Sequence, residues 1–277
     1  MMWQRLHFAL AAWRPAPVAG PLETLGKPGS HERRISGLCG GRMRFDGDGP
    51  VFAAPLVIIA FTNRSGSNLL AEYVAQAGRA ARAGEMLNAD TVERRGASAE
   101  EGGLPGYITR LEAEKAGPGR SLALKASWAQ LAMLIRGNIP SMFPGTVLLH
   151  VERADLLRQA VSFRLAQQSG RWTSRHSGGR APKAEVIPPE AVLRTVTGLQ
   201  QANLRIRLIA EAAGLGRWPV SYEAMSADPA GHLPPVLQAA GLAAPDWRPD
   251  TPRLEKQAGP ENAALVEAVL AAVRERL

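Results

Sequence analysis

The sequence predicts an α/β fold, a parallel β-sheet flanked by helices. Three observations predict it. Short apolar runs of strand length alternate along the chain with longer segments whose apolar residues recur at helical spacing. The first strong run, Pro55–Phe61, breaks at the short polar turn Arg-Ser-Gly-Ser-Asn and resumes with helical spacing, the mark of a strand turning sharply into a helix. The length, 277 residues of which 45% are hydrophobic, suits one large domain with a sizeable core.

Taken in order, residues 1–50 are rich in Gly, Pro and Arg and lack sustained periodicity. They read as a flexible or poorly ordered leader ahead of a single domain at 51–277. The opening, MMWQRLHFALAAWRPAPVAG, is a poor signal peptide because Arg14 and Pro15 interrupt its apolar patch. Pro55–Phe61 then reads as a buried strand. Ser67–Ala77 reads as a helix with Leu69, Leu70, Tyr73, Val74 and Ala77 on one face and Gly78 as its stop. Gly106–Lys115 is helix-like, and Ser121–Ser127 is a strand leading into a helix at Trp128–Arg136. Thr146–Glu152 is the next buried strand and Leu156–Gln168 the next helix. A polar, Gly-rich connection precedes a long helix at Glu190–Ala213. The strand PVSYE, a helix near Pro234–Ala240 and a last helix at Glu261–Arg276 complete the chain. Such alternation implies parallel strands with helices on both faces. Ligands in these folds sit beyond the carboxyl ends of the strands. Phe61, Ser127 and Arg153 fall at or just past those ends, so they are predicted to converge on one crevice.

Charge narrows the ligand. Lys and Arg total 33 against 25 Asp and Glu, a net +8 that favours an anionic partner. Much of the excess is local: between His150 and Lys183 stand Arg153, Arg158, Arg164, Arg171, Arg175, Arg180 and Lys183 against only Glu152 and Asp155. Aromatic residues are sparse at 5% and form no stacking array, which argues against nucleic acid. The single cysteine, Cys39, excludes an intramolecular disulfide and fits a reducing compartment. No apolar run nears the roughly 20 residues that span a bilayer, so a cytoplasmic protein is expected. His7, His31, His150, His176 and His232 show no ligand spacing with acids or Cys39, so no metal is expected.

The turn after Phe61 carries the first candidate site. Arg64 offers a fixed fork of donors to a phosphate, and Gly66 lets the backbone approach closely. Ser65, Ser67 and Asn68 add donors, and the helix that begins at Ser67 favours negative charge at its start. The triphosphatase pattern G-x-x-x-x-G-K-[ST] is absent. Arg153, at a strand end, and Ser162, within the following helix, make a second candidate anion site, although an ion pair of Arg153 with Asp155 would be the plainer reading. Two anion sites at neighbouring strand ends suit a ligand with phosphates on both sides of a sugar.

FTNRSGSNLL, followed by GEMLN, LALKASW and VERADLLRQAVSFRLAQQSGRW, resembles the Stf0-type sulfotransferases, of which the best-known member sulfates trehalose. The similarity runs from about Val57 to the RLEKQAG stretch. It implies a P-loop NTPase-like parallel sheet, the sulfotransferase fold, and 3′-phosphoadenosine 5′-phosphosulfate (PAPS) as donor, with no metal. By this resemblance Arg64, Ser65, Gly66, Ser67 and Asn68 hold the 5′-phosphosulfate, and Arg153 and Ser162 the 3′-phosphate. Lys256 and Gln257 stand where the family closes a loop over the nucleotide. Glu85 is the candidate general base, a carboxyl expected to be raised by partial burial in an acceptor pocket. The trehalose subfamily has a second Glu three residues later, where this chain has Asn88. Either Glu85 takes the whole role, or Asn88 hydrogen-bonds the acceptor. Lys125 faces the donor sulfate or the acceptor, or else snorkels at a strand edge. Gln168 and Trp172 complete the acceptor side, with Trp172 stacking on a sugar or on adenine. The resemblance further implies a carbohydrate or glycolipid acceptor, peripheral membrane contact through a lipid-linked acceptor, and pairing into a homodimer. The competing readings are a nucleotide phosphotransferase or kinase and a catalytically silent nucleotide-binding protein.

Overall fold

A computed structural model describes residues 21–170, 172, 186–252 and 259–277. Among them four strands form one parallel sheet: β1 (Leu56–Phe61), β2 (Ala123–Ala126), β3 (Thr146–Glu152) and β4 (Arg217–Ser221), in the order β2-β1-β3-β4. The chain therefore leaves β1 toward one neighbour and later returns to lie on its other side. That reversal opens a crevice at the carboxyl end of β1.

The helices are α1 (Pro21–Gly26), α2 (Ser30–Leu38), α3 (Ser67–Gln76), α4 (Ala89–Arg94), α5 (Gly103–Lys115), α6 (Trp128–Arg136), α7 (Leu156–Ser169), α8 (Pro189–Ala212), α9 (Tyr222–Ala227), α10 (Pro229–Ala239) and α11 (Pro260–Arg274). Alternation along β1 feeds two apolar layers. Leu56, Ile58 and Ala60 pack with Tyr107, Ile108, Leu131 and Ile206 on one face. Val57, Ile59 and Phe61 pack with Leu70, Val74, Leu233 and Leu237 on the other. A third cluster joins α7, α8 and α11 through Val161, Val192, Leu199 and Val269. No helix among the described residues is long and apolar enough to cross a membrane.

The reading of residues 1–50 as a loose leader does not describe residues 30–39. There α2 buries Ile35 completely, its cap residue Cys39 is equally buried, and both join the first apolar layer. Residues 1–20 lie outside the described part.

Candidate active site

The loop after β1 is shaped by its backbone. Arg64 has φ 65° and Gly66 has φ 90°, both in the left-handed region. For Arg64 that conformation costs about 1–3 kcal/mol and persists only where its surroundings enforce it. Ser65 N–H donates to the Thr62 carbonyl at 3.2 Å, closing the turn. From α7, Gln159, fully buried, donates from Nε2 to Thr62 Oγ1 at 2.9 Å and to the Asn63 carbonyl at 2.8 Å. The loop is thus clamped by the helix that follows β3. The side chain of Arg64 is directed by two further bonds: Nε donates to Ser162 Oγ at 3.0 Å, and Nη1 to the Trp172 carbonyl at 2.8 Å.

One cleft of about 1330 Å³ gathers the predicted residues. Arg64, Gly66, Ser67, Asn68, Glu85, Asn88, Lys125, Arg153, Ser162 and Trp172 all line it. Phe61, Ser127 and Arg153, expected to converge, do so. Burial and the nearby charge of Arg153 both pull the Arg64 guanidinium below its usual range. Two cations pressed together in one cleft call for an anion. Arg153 has no ion pair among the described residues, because Asp155 is committed elsewhere. Asp155 caps α7 by accepting from Arg158 N–H at 2.8 Å, and its other oxygen accepts from Arg158 Nη1 at 2.7 Å. The Arg153 guanidinium instead stacks 4.8 Å over the Tyr222 ring, and its Nε is buried without a partner. A buried donor left unpaired costs about 1–3 kcal/mol, which a bound acceptor would recover.

The opposite wall of the cleft is built around Lys125. Its side chain is only 2% exposed on β2 and lies 4.6 Å over the Phe61 ring. Nζ donates to Asn68 Oδ1 at 2.7 Å and to Glu85 Oε1 at 2.8 Å. Lys125 therefore does not snorkel to solvent. It joins the loop after β1 to the segment that carries Glu85. Burial lowers the ammonium, against the pull of Glu85. The Glu85 carboxyl departs from expectation. Burial pushes it up, but the Lys125 charge and the hydrogen bonds from Lys125 and Asn88 outweigh burial and hold it below the usual carboxylate range.

Other predicted residues fall differently. Ser65 is fully buried beneath the loop and does not line the cleft. Ser162 pairs with Arg64, so the two anticipated anion sites are linked rather than separate. Gln168 is not part of the wall. Gln167 lines it instead, because it lies one helical turn from Phe163 on the same face of α7. Trp172 packs against Phe163 with the rings tilted 54° to each other and their centroids 6.0 Å apart. Lys256 and Gln257 lie outside the described residues, as do Arg171, Arg175, Arg180 and Lys183.

Four residues in or beside the cleft escaped sequence reasoning: His31, Gln130, Gln159 and Tyr222. Gln159 sits within the QAVSF segment that carried the resemblance, so its position was visible although its contact was not. His31 accepts from Ala89 N–H through Nδ1 at 3.1 Å, which in the neutral ring places the proton on Nε2. No spacing in the sequence signals it.

The family model described as Stf0 sulphotransferase matches residues 132–269. The chain belongs to the Stf0 sulfotransferases. The match takes in Arg153, Gln159, Ser162 and Trp172 but begins after the β1 loop, Glu85 and Lys125. The fold of this Stf0 sulfotransferase is also that of the sulfotransferase domain from the Synechococcus PCC 7002 olefin synthase. The TM-score is 0.50 at 13% identity, covering 84% of this chain and 90% of that one. A sulfotransferase from Alicyclobacillus acidocaldarius superposes with TM-score 0.49 at 13% identity, covering 80% and 97%. No curated protein matches the sequence.

Proposed function

We propose that this sulfotransferase binds PAPS in the cleft and transfers its sulfuryl group to a hydroxyl of a carbohydrate or glycolipid acceptor. The observation that carries this reading is the pair Arg64 and Arg153. Both open on one cleft, where the charge of Arg153 reaches Arg64, and Arg153 keeps a buried donor unpaired. PAPS supplies the activated sulfuryl group and two anionic ends that such a pair can grip.

The chain's own residues then divide the work. Arg64, with the backbone at Gly66, Ser67 and Asn68, faces the 5′-phosphosulfate, where negative charge grows on the bridging oxygen as the bond breaks. A preorganised guanidinium there stabilises that charge without reorganisation. Arg153 and Ser162 face the 3′-phosphate. Glu85 takes the proton of the acceptor hydroxyl. Its lowered carboxyl is ionised at neutral pH, and the hydroxyl becomes acidic as its oxygen bonds to sulfur, so a weak base suffices late in the reaction. Asn88 and Trp172 position the acceptor.

Calorimetric titration with adenosine 3′,5′-bisphosphate tests the donor half. Micromolar binding is expected, weakened at least about tenfold in Arg64→Ala and in Arg153→Ala, since each removes a charge-assisted phosphate contact. Tight binding of magnesium-ATP with none of the bisphosphate would replace this reading by a phosphotransferase. Binding of the bisphosphate unaffected by either substitution would place the nucleotide elsewhere.

A further inference from the structure

One hydrogen-bonded chain crosses the cleft from the start of α6 to the donor loop, and its polarity is dictated from one end. The anchor is Ser127, the N-cap of α6, whose backbone N–H can only donate. It gives to Gln130 Oε1 at 2.9 Å, while Ser127 Oγ accepts from Gln130 N–H at 3.4 Å. This capping box fixes which end of the Gln130 amide faces which way. Gln130 Nε2 must then point outward, and it donates to Asn88 Oδ1 at 3.2 Å. Asn88 is forced in turn to present Nδ2, which donates to Glu85 Oε2 at 3.0 Å. Both oxygens of Glu85 are now acceptors, the second taking Lys125 Nζ, and Lys125 ends the chain on Asn68. Ser127, Gln130, Asn88, Glu85, Lys125 and Asn68 all line the one cleft. Gln130 is 4% exposed and Lys125 2%, so the two residues that flank the Asn88–Glu85 pair are shielded from water, while the Glu85 carboxylate itself is 47% exposed to the cleft.

We propose that Gln130 is a positioning residue of the transfer reaction, setting the direction of the Asn88 amide and through it the place and ionised state of the Glu85 carboxylate. The inference rests on the reading of Glu85 as proton acceptor, but its test does not need turnover. It also accounts for Asn88. A second carboxylate at that position could not donate to Glu85, whereas an amide whose carbonyl is already engaged by Gln130 can only donate. The chain thereby has one base where a two-carboxylate arrangement would share a proton. The other ionisable groups around this part of the cleft are Lys125 on β2, His31 on α2, Asp90 on α4, and Arg82, which acts on Lys125. The Gln130 side chain hydrogen-bonds Ser127 and Asn88 and none of these groups.

Gln130→Glu reverses the relay. The new carboxylate still accepts from Ser127 N–H, but its other oxygen has no proton for Asn88. The Asn88 amide turns to donate to it, and its carbonyl then faces Glu85, an arrangement relieved by a proton on Glu85. In protein labelled with carboxyl-13C glutamate, the Glu85 resonance is assigned by its loss in Glu85→Gln and followed against pH. Gln130→Glu is expected to raise the Glu85 midpoint by about one unit or more. Because a new charge alone could raise it, the same substitution is made in Asn88→Ala. A relay through Asn88 predicts that the shift falls to less than half there; an equal shift in both backgrounds overturns the proposal. Gln130→Met, which keeps the volume and adds no charge, covers the case in which the carboxylate variant does not fold. It is expected to raise the midpoint by a smaller amount, and an unchanged midpoint overturns the proposal. Affinity for adenosine 3′,5′-bisphosphate is expected to stay within about twofold in every position-130 variant, since the chain touches the donor loop only through Lys125. Failure of the native protein to bind the bisphosphate would defeat the sulfotransferase mechanism while leaving the relay measurable.

Discussion

Gly66 has φ 90°, and a Cβ built there would lie 2.4 Å from Cδ2 of Tyr222, the ring on which Arg153 stacks. Two separate demands therefore exclude a side chain: the left-handed backbone, and the ring that supports the second cation. Gly78 shares the first demand, with φ 85°, but a Cβ there would meet nothing within 4 Å. The comparison isolates the functional share. Gly78→Ala is expected to cost about 1 kcal/mol from backbone strain alone and to leave bisphosphate binding unchanged. Gly66→Ala is expected to cost about 2 kcal/mol or more and to weaken that binding as Tyr222 and Arg153 are displaced. Thermal unfolding and titration of both variants check this, and equal binding by the two would sever Tyr222 from the site. Lys125 gives a second case at the same scale. Its ammonium is the main influence opposing burial at Glu85. Lys125→Met is expected to raise the Glu85 midpoint, so the acid limb of the activity profile moves to higher pH. A limb that stays in place would assign it to another group.

At the scale of elements, α2 and α7 show what a periodic reading finds and what it misses. The strands β1 and β3 and the helix α6 were legible because each is an unbroken apolar run or carries a wide apolar stripe. In α2, SHERRISGL, only Ile35 is buried within the helix, and two apolar residues in nine, Ile35 and Leu38, make no sustained period. The packing of Ile35 and Cys39 against the first layer, not helix propensity, fixes this segment. Ile35→Ala is accordingly expected to destabilise the fold by about 2–5 kcal/mol, as for other fully buried aliphatic side chains, measured by denaturant unfolding. A loss below about 0.5 kcal/mol, typical of surface positions, would restore the segment to a loose leader. The site divides in the same way. Arg64, Asn68, Lys125 and Arg153 were legible at or just past strand ends, whose carboxyl edge the topology brings together, and Glu85 from the resemblance of GEMLN. Gln130 and Gln159 were not, because a glutamine within a helix acquires meaning only from the partner that tertiary structure brings within 3 Å or so. Glu85 was located but its ionisation was misjudged, since burial was visible in the pattern and the Lys125 ammonium opposite it was not.

Across the whole molecule, the element that presents Arg153 is held by a charged network on the opposite side of β3. Glu152, its last residue, is bonded to Arg207 from α8 and accepts from Arg217 Nη1 of β4 at 3.0 Å. His150, wholly buried, lies with Nδ1 3.0 Å from Glu152 Oε1 and Nε2 3.2 Å from Asn203 Oδ1. Three elements thus meet on one carboxylate, one residue before the cation of the cleft. Burial pushes the Glu152 carboxyl up, but His150 and Arg207 more than reverse this and bring it down from 4.5 to about 2. A carboxyl whose value is lower in the folded than in the unfolded chain binds fewer protons when folded. Its stabilisation is therefore complete above about pH 4.5 and is lost as the pH falls toward 2. With the side chain 23% exposed, that contribution is on the order of 2 kcal/mol rather than the full value of the shift. Other carboxylates titrate in the same window, so the diagnostic quantity is a difference. The stability of the native protein minus that of Glu152→Gln, from denaturant unfolding, should be constant above about pH 5 and shrink by about 2 kcal/mol between there and pH 2. Bisphosphate affinity of Glu152→Gln at neutral pH should fall as well, because β3 then no longer fixes the point from which Arg153 enters the cleft. A difference in stability that does not vary with pH would mean that Glu152 acts by packing alone, and that the placement of Arg153 is secured by the sheet without it.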